Sequence, residues 1–354
     1  MTTRIDALDT PFAAIDLAIV DSNLKRAQDY FAAHGLGLRP HIKTHKIPEL
    51  ALRQVELGAC GITCQKIGEA EVMADAGIAD ILLTFNIVGT LKLRRLVALA
   101  RRTTLAVVAD SSAVAAGLSA AMSEAGLTLK VLVECDTGAG RCGVQTPEQA
   151  GLLAREIDRL PGLSYGGLMT YPPRGQSGVT RRWLADAIAA IGALQLEVPV
   201  VSVGGTPDMY RAHEIDVSTE HRPGTYIYSD RYMAAHGVGT LADCALRIVA
   251  TVVSRPTADR AIIDAGSKSF SADPMGLEGH GAILELPDAS LAQLSEEHGH
   301  IDLSRCRDKP KIGDRLTIIP NHACAVSNLH DRIHGLQGDR LERIFEVRAR
   351  GRVQ

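Results

Sequence analysis

The stretch DILLTFNIVGTLKLRRLVALARRTTLAVVADSSAVAAGLSAAMSEAGLTLKVLVEC, residues 80–135, decides the fold. It contains three short apolar runs, Asp80–Phe85, Leu105–Ala109 and Lys130–Cys135, with amphipathic segments between them. Short apolar runs predict buried strands, and the spacing of about 25 residues from one run to the next leaves room for a helix. Strands that alternate with helices in this way predict βα units and a parallel sheet.

The same pattern continues on both sides of this stretch, from residue 12 to about residue 230. The further strand candidates are Phe12–Leu17, Leu38–Lys43, Gly61–Gln65, Ser164–Thr170, Val198–Val203 and Val217–Glu220. The helical candidates are Asp21–His34, Pro48–Ala59, Ile67–Ala76, Ser111–Ala125 and Thr180–Leu194. Eight strands counted from Leu38 predict an α/β fold that closes into a (β/α)8 TIM-like barrel, which leaves the first candidate over.

After about residue 235 the sequence loses its helical periodicity. The strand candidates there are Cys244–Ser254, Arg260–Asp264, Gly281–Leu286, Arg315–Ile319 and Leu341–Ala349. They predict a C-terminal β domain, which the leftover strand Phe12–Leu17 joins. We therefore predict an N-terminal strand in residues 1–20, a barrel in residues 21–235 and a β domain in residues 236–354.

Composition and charge exclude several classes of protein. Hydrophobic residues make up 46% of the 354 residues and charged residues 22%, which suits a large core and argues against disorder. The formal net charge of −3 predicts neither a nucleic acid nor an anionic membrane as partner. The chain has no apolar run long enough to cross a bilayer, and its N-terminus lacks the apolar segment of a signal peptide. Seven cysteines, an odd number, predict reduced thiols in a cytoplasmic protein.

The segment RPHIKTHK, residues 39–46, carries the strongest chemical signal. It lies at the carboxyl end of the first predicted barrel strand, which is the end where barrel enzymes place catalytic residues. Strand alternation would direct Lys43 into the barrel mouth, beside His41, His45 and Lys46. Burial and cationic neighbours favour the neutral amine that forms a Schiff base. The alternative is a basic loop that binds a substrate anion or is simply solvated.

Two glycine-rich patterns follow later barrel strands. DTGAGRCG, residues 136–143, holds Arg141 among three glycines, where it suits a phenolate or carboxylate; the alternative is a tight turn with a solvent-facing arginine. SVGGTP, residues 202–207, and RPGTY, residues 222–226, follow the last two strands. Barrel enzymes commonly bind phosphate at that position, so the two segments together predict a phosphate site.

PNHACA, residues 320–325, is a candidate metal site in the β domain. If the segment is a strand, His322 and Cys324 lie on the same face and reach one ion. Imidazole with thiolate suits zinc and, less exclusively, manganese. Two protein ligands leave positions open for water or substrate. The alternative is that both residues are structural.

These motifs together resemble a known family. PHIKTHK, DTGAGRCG, VGGTP, RPGTY, DAGSK at residues 264–268 and PNHAC followed by NLHD at residues 328–331 resemble the D-threonine aldolase and D-serine dehydratase group. That group belongs to the fold-type III enzymes of pyridoxal phosphate (PLP), the alanine racemase class. The resemblance runs from Thr10 to Gly351 and implies an alanine racemase-type barrel with a β domain, a head-to-tail homodimer, PLP and a divalent metal.

The resemblance also implies roles for individual residues. Lys43 matches the lysine that binds PLP as a Schiff base, and Arg141 resembles the arginine at the cofactor's 3-oxygen. Residues that resemble the ring-side and phosphate-binding positions are Gln65, Tyr171, Gly205, Thr206, Gly224, Thr225 and Tyr226. His322 and Cys324 match the metal pair, for which Mn, Zn, Mg and Co are all suitable.

Within the group, the leading prediction is a metal-dependent D-threonine aldolase, which cleaves D-3-hydroxy amino acids to glycine and an aldehyde. NLHD and the closing VRARG, residues 347–351, resemble the aldolases. The loop YPPRGQS, residues 171–177, departs from some of them because it lacks the histidine proposed as base for the hydroxyl. Either His45 or metal-bound hydroxide takes that proton, or the reaction differs.

Three other functions are open at this point. A D-serine or D-threo-3-hydroxyaspartate dehydratase uses the same residues to eliminate water. A non-catalytic PLP-binding protein is usually a barrel alone, so the β domain argues against it. A phosphate-binding barrel enzyme without PLP accounts for the glycine-rich segments but leaves PHIKTHK unexplained.

Overall fold

The computed structural model describes residues 4–354, which form two compact units. The first, here called the β unit, contains the chain up to Arg26, the short segment Thr44–Ile47 and Thr225–Gly351. The second, the barrel unit, contains Ala27–Lys43, Pro48–Gly224 and Arg352–Gln354. The chain therefore leaves the barrel unit immediately after Lys43, contributes four residues to the β unit and returns at Pro48. No helix within the described residues is both long and apolar enough to cross a membrane.

Strands and helices alternate through the barrel unit and give way to strands in the β unit. The first nine strands are β1 Phe12–Asp16, β2 Gly37–Leu38, β3 Ile62–Cys64, β4 Asp80–Leu83, β5 Thr104–Ala109, β6 Leu129–Cys135, β7 Leu163–Thr170, β8 Val201–Val203 and β9 Glu220–His221. The others are β10 Leu246–Thr257, β11 Arg260–Ile263, β12 Gly281–Ile283, β13 Ser290–Leu294, β14 Gly299–Asp302, β15 Arg315–Pro320, β16 Arg332–Gln337 and β17 Arg340–Glu346. The α-helices are α1 Leu17–Ala33, α2 Pro48–Glu56, α3 Ile67–Asp75, α4 Thr90–Ala100, α5 Ser112–Glu124, α6 Pro147–Arg159, α7 Ser177–Gly192, α8 Arg231–Ala235, α9 Ser267–Phe270 and α10 Ala323–Ser327.

The barrel unit is built on an eight-stranded parallel sheet in the order β2-β9-β8-β7-β6-β5-β4-β3. A bridge between His41 and Thr63, with the Thr63 N–H donating to the Pro40 carbonyl at 2.7 Å, joins the two end strands. The predicted (β/α)8 barrel is therefore confirmed. Four strand residues form a buried apolar cluster: Leu82, Val108, Leu132 and Met169. Each such side chain stabilises the fold by about 1.5–3 kcal/mol through burial.

Helix α6 shows how local sequence sets a boundary in this unit. Thr146 precedes the helix, and its hydroxyl accepts the Gln149 N–H at 3.2 Å. Pro147 follows at the first helical position, where no N–H is needed. Ala154 and Ile157 lie on the buried face of the helix. A threonine cap of this kind contributes about 1 kcal/mol.

The first barrel strand is shorter than the sequence predicts. Leu38–Lys43 was expected to be extended, whereas β2 covers Gly37–Leu38, with one further bridge at His41 and a single 3-10 turn over Ile42–Thr44. Pro40 has no N–H to donate to a sheet ladder, so regular pairing cannot continue through it. The prediction that strand alternation orients Lys43 was therefore wrong, because Lys43 lies on the turn beyond the strand.

The β unit contains a nine-stranded sheet whose main order is β13-β14-β11-β10-β1-β16-β17, with β15 pairing β10 and β12. β1 lies between β10, which is antiparallel to it, and β16, which is parallel. Phe12, Ala14, Val249 and Leu336 form a buried cluster on this sheet. Strands β13, β14 and β16 were not predicted. Their sequences, SLAQL, GHID and RIHGLQ, carry too many polar residues for apolar alternation to identify them.

Candidate active site

In the barrel unit, a chain of hydrogen bonds supports the backbone of Lys43. The Lys43 N–H donates to His41 Nδ1 at 3.4 Å, and His41 Nε2 lies 3.1 Å from Gln65 Oε1. Gln65 Nε2 donates to the carbonyl of Thr84 at 2.8 Å. With Nδ1 as acceptor, Nε2 is the nitrogen that donates to Gln65. The ends of three successive barrel strands thus fix the half-buried Lys43, and Gln65 belongs to that support.

The second predicted element of the site is the loop that carries Arg141. The carboxylate of Asp136 accepts the N–H groups of Gly138 at 2.9 Å and Gly140 at 3.1 Å. Burial would raise the pKa of Asp136, but these backbone bonds hold it below its usual value. The Arg141 guanidinium lies 5.1 Å from the ring centroid of Tyr171. The structure therefore brings together the predicted 3-oxygen arginine and ring-side tyrosine through a cation–π contact.

The predicted phosphate cradle is assembled around Gly205. Its φ is +133°, and a Cβ at this position would lie 3.4 Å from the Tyr171 ring, so only glycine fits without strain. The Gly205 carbonyl lies 2.8 Å from His221 Nε2, and the Thr206 hydroxyl accepts the Gly224 N–H at 3.1 Å. Three of the five predicted cradle residues are thereby joined within the barrel unit.

The other two cradle residues, Thr225 and Tyr226, belong to the β unit. They start a single 3-10 turn, in which the Thr225 carbonyl accepts the N–H groups of Tyr228 at 3.1 Å and Ser229 at 2.7 Å. Tyr226 is buried. The Thr225 hydroxyl lies 3.6 Å from Cys324 Sγ, which links this turn to the predicted metal pair.

His322 and Cys324 do meet, but not on a strand. Strand β15 ends at Pro320, and His322 is the residue before the short helix α10, in which Cys324 is the second residue. The expectation of strand alternation was wrong because the Ala323 N–H donates to the buried carboxylate of Asp230 at 3.0 Å and starts a helical turn. The two side chains are nevertheless hydrogen-bonded to each other.

Further contacts surround this pair within the β unit. The Thr44 hydroxyl lies 3.1 Å from Cys324 Sγ, and His322 Nδ1 lies 2.9 Å from Asp273 Oδ2. The hydrogen bond with Cys324, together with Asp273, raises the pKa of His322 to about 9 although burial opposes this. Imidazole and thiol side by side form a donor set that fits a divalent ion of the zinc type.

His45, the predicted alternative base, lies in the interior of the β unit. Its side chain is fully buried, and its Nδ1 accepts the Ile47 N–H at 3.1 Å. Its ring contacts Tyr228 edge-on, with 6.4 Å between the centroids. Because Nδ1 accepts the Ile47 N–H, the neutral ring carries its proton on Nε2.

A group of potential ligands near these motifs escaped the sequence analysis. Asp110, Glu134 and Cys142 form a group whose ligand atoms lie within 4.8 Å of one another. Burial and the neighbouring Asp110 raise the pKa of Glu134 to about 7. The signal was available, since Glu134 has the same strand parity as Leu132 and so faces the same side of β6.

Arg222, the first residue of RPGTY, has a structural role that the motif does not predict. Its guanidinium is buried and donates to Ser202 Oγ at 2.6 Å and to the Thr170 carbonyl at 2.8 Å. Burial lowers its pKa to about 10. It therefore ties the start of one cradle segment to the ends of β7 and β8.

A separate cavity of about 610 Å³ opens at the other end of the barrel. Its lining includes Arg39, Asp80, Lys130 and Glu220, which lie at or near the beginnings of barrel strands. Barrel enzymes place catalysis at the carboxyl ends of the strands. This cavity is therefore not part of the candidate active site.

Two family models match successive parts of the chain. The family described as alanine racemase, N-terminal domain, matches residues 15–232, and the putative serine dehydratase domain matches residues 245–336. The chain is 37% identical to a D-threonine aldolase from Arthrobacter sp., and the match covers 97% of this chain and 93% of that protein. It is 34% identical to a D-threo-3-hydroxyaspartate dehydratase from Delftia sp., over 96% of this chain and 97% of that protein.

Two solved structures are similar over nearly the whole chain. The D-threonine aldolase from Filomicrobium marinum superposes with a TM-score of 0.94 at 32% identity, covering 100% of this chain and 99% of that one. A cysteine-to-alanine variant of D-threo-3-hydroxyaspartate dehydratase, solved in the metal-free form, gives a TM-score of 0.87 at 31% identity, with 97% and 98% coverage.

Proposed function

The chain belongs to the alanine racemase-like family of PLP-dependent lyases that includes D-threonine aldolases and hydroxyaspartate dehydratases, and from this premise we propose that it is a D-threonine aldolase. The reaction would cleave D-threonine and other D-3-hydroxy amino acids to glycine and an aldehyde. The observation that carries the proposal is the 37% identity to a D-threonine aldolase across both domains.

The two motifs that resemble the aldolases both contact the loop after Lys43. Lys46, in PHIKTHK, donates to Asn328 Oδ1 of NLHD at 2.7 Å. The Lys46 carbonyl accepts the N–H of Ala349, in VRARG, at 3.1 Å. Lys46 has a positive φ of 56°, a conformation that a lysine adopts only when its surroundings hold it. Both motifs thus act on the loop that follows Lys43 in the chain.

The barrel residues fit PLP in the way the resemblance implies. Lys43 would bind its aldehyde carbon, Arg141 and Tyr171 would contact its ring, and the glycine-rich cradle at Gly205 and Thr206 would hold its phosphate. Further predicted contacts are Gln65, Gly224, Thr225 and Tyr226. A Cβ at Gly205 would lie 3.4 Å from the Tyr171 ring, so glycine keeps open the space between the predicted ring site and the phosphate site. When bound, PLP supplies the electron sink for the breaking Cα–Cβ bond.

His322 and Cys324 would hold a divalent metal, for which Mn, Zn, Mg and Co are the candidates. Such an ion supplies Lewis acidity toward a substrate hydroxyl. The hydroxyl must also lose its proton for cleavage, and no histidine occurs in the loop of residues 171–177. We propose His45 for that role. Its Nε2 can accept the proton only in the tautomer that carries a proton on Nδ1, so the base gives up the hydrogen bond from the Ile47 N–H. Its burial fixes the ring in place, which suits directed proton transfer.

Product analysis tests the proposal. D-threonine should yield glycine and acetaldehyde in equal amounts, and L-threonine should yield neither. Formation of 2-oxobutanoate and ammonia from D-threonine would instead identify a dehydratase. The substrate D-threo-3-hydroxyaspartate distinguishes the reactions in the same way, because cleavage gives glycine and glyoxylate whereas dehydration gives oxaloacetate and ammonia.

The dehydratase is the second candidate, and the 34% identity to the Delftia enzyme over 97% of its length favours it. The same metal pair would then help the hydroxyl to leave after the α-proton is removed. We further propose that the protein is a cytoplasmic homodimer. The family resemblance motivates the dimer, and a fully active monomer in light scattering would contradict it.

A further inference from the structure

We propose that Asp273 is a positioning residue for the metal pair. Its carboxylate accepts a proton from His322 Nδ1, so that Nε2 is the nitrogen that binds the ion. The inference rests on the metal site of the proposed function and adds to it a residue that carries no motif. Asp273 lies 49 positions before His322 in the chain, in the loop between α9 and β12.

The geometry of the imidazole supports this assignment. His322 Nδ1 lies 2.9 Å from Asp273 Oδ2, and the same side chain is hydrogen-bonded to Cys324. A neutral imidazole donates a proton from one nitrogen and binds a metal ion through the other. Because Nδ1 contacts Asp273, Nε2 is the nitrogen that would bind the ion. A carboxylate on the outer nitrogen of a histidine ligand fixes its tautomer and ring orientation, and it also makes the inner nitrogen a better donor.

The loop that carries Asp273 is itself held beside the metal pair. Asp273 Oδ1 accepts the Met275 N–H at 3.1 Å. Asn321, the residue before His322, donates from Nδ2 to the carbonyls of Pro274 at 3.1 Å and Gly279 at 2.8 Å. The side-chain amide of Asn321 therefore anchors the loop that carries Asp273 to the segment that carries His322. This contact gives the asparagine of PNHAC a function of its own.

Asp273 is placed to orient the histidine and not to bind the ion. Asp273 does not form, with His322 and Cys324, a group of three ligand atoms that all lie within 4.8 Å of one another. Within the described residues, such a group is formed by Asp110, Glu134 and Cys142. The His322 side chain is 28% exposed and that of Asp273 is 46% exposed. A pair this open to solvent adds little to fold stability, so removing the carboxylate should leave the protein folded.

Zinc affinity of the PLP-loaded protein tests the inference. Metal is removed with a chelator, and Zn²⁺ alone is titrated back in competition with a fluorescent zinc indicator. Asp273→Ala should raise the Kd about 10- to 100-fold, the range found for partners of histidine ligands. Asp273→Asn keeps an acceptor and should recover at least half of that loss on a logarithmic scale. Asp302→Ala is the matched control. Like Asp273, Asp302 accepts the backbone N–H of the residue two positions later, here Ser304 at 2.9 Å. The Kd of this variant for Zn²⁺ should equal that of the wild type.

Each outcome separates the inference from the proposed function. If the wild type binds no Zn²⁺, the proposed metal site itself is wrong. If the wild type binds and Asp273→Ala binds equally tightly, only the role of Asp273 is overturned. Asp273→Asn as weak as Asp273→Ala would also overturn it, because direct ligation or charge alone would then explain the effect. Nitrogen-15 NMR of histidine in the wild type is a second test that needs no folded Asp273 variant, with His322→Gln used to assign the signals. His322 Nδ1 should stay protonated when zinc is bound. Zinc bound to Nδ1 would contradict the proposal.

Discussion

The barrel unit and the β unit present their functional side chains in different ways. In the barrel unit, His41, Gln65 and Thr84 lie at the ends of successive strands and support Lys43 through buried or half-buried hydrogen bonds. In the β unit, His322 and Cys324 lie at the start of a five-residue helix and depend on loop contacts. The first arrangement follows from the architecture, whereas the second follows from individual side chains. Loss of His322 or Cys324 should therefore remove the metal function and leave the cofactor at Lys43 in place.

The largest effect should come from Lys43→Ala. No Schiff base can form without this amine, so the visible absorbance of the bound cofactor should disappear and turnover should fall roughly 10³-fold or more. Absorbance spectra and borohydride trapping followed by peptide mapping check this. Lys268→Ala, which removes an exposed lysine paired with Glu297, should behave as the wild type. Cofactor trapped on Lys46 or Lys268 would show that the assignment is wrong.

His322→Ala should remove the metal function and leave the bound cofactor in place. Turnover should fall by about 10²-fold or more because the hydroxyl loses the Lewis acid, while the visible absorbance and the unfolding temperature stay close to those of the wild type. His298→Ala, an exposed histidine elsewhere in the β unit, is the matched control. Loss of the cofactor band along with activity would mean that the pair also supports the barrel site.

Glu134→Gln should change how stability depends on pH. Burial raises the folded pKa of Glu134 to about 7, above its unfolded value. The stability that its neutral form contributes is present below the unfolded pKa and is lost as pH rises through about 7. The cofactor-free variant should therefore be more stable than the wild type at pH 8, by roughly 1–3 kcal/mol, and close to it at pH 4. Urea unfolding at both pH values measures this; an equal difference at the two would refute the shift.

Gly205→Ala should have the smallest effect on the fold and a specific effect on cofactor binding. The backbone at this position has a positive φ, which costs a residue with a Cβ about 1 kcal/mol. The added Cβ would also lie 3.4 Å from the Tyr171 ring. Gly175→Ala also carries a positive φ but meets nothing within 4 Å. Both variants should lose similar stability, and only Gly205→Ala should bind PLP more weakly in a fluorescence titration. Equal PLP affinity in the two variants would exclude Gly205 from the cradle.

The contrast between the units also explains which features the sequence could predict. Barrel strands such as Lys130–Cys135 are apolar runs, so their pattern identifies them and places the loops at their carboxyl ends in the barrel mouth. The extended form of Leu38–Lys43 was wrong because Pro40 interrupts pairing. Strand geometry for His322 and Cys324 was wrong because Asp230, far away in the chain, bonds the Ala323 N–H. A long-range contact between a side chain and a backbone N–H leaves no periodic pattern in a sequence.

We propose that the protein uses PLP and a divalent metal, and that loss of the metal leaves PLP bound. The most direct measurement follows glycine release from D-threonine and the visible absorbance of the holoenzyme in one sample while a metal chelator is added. We predict that glycine release falls to background while the absorbance stays constant, and that added Mn²⁺ or Zn²⁺ restores the release. Full activity in the chelated enzyme, or loss of the absorbance together with the metal, would contradict the account.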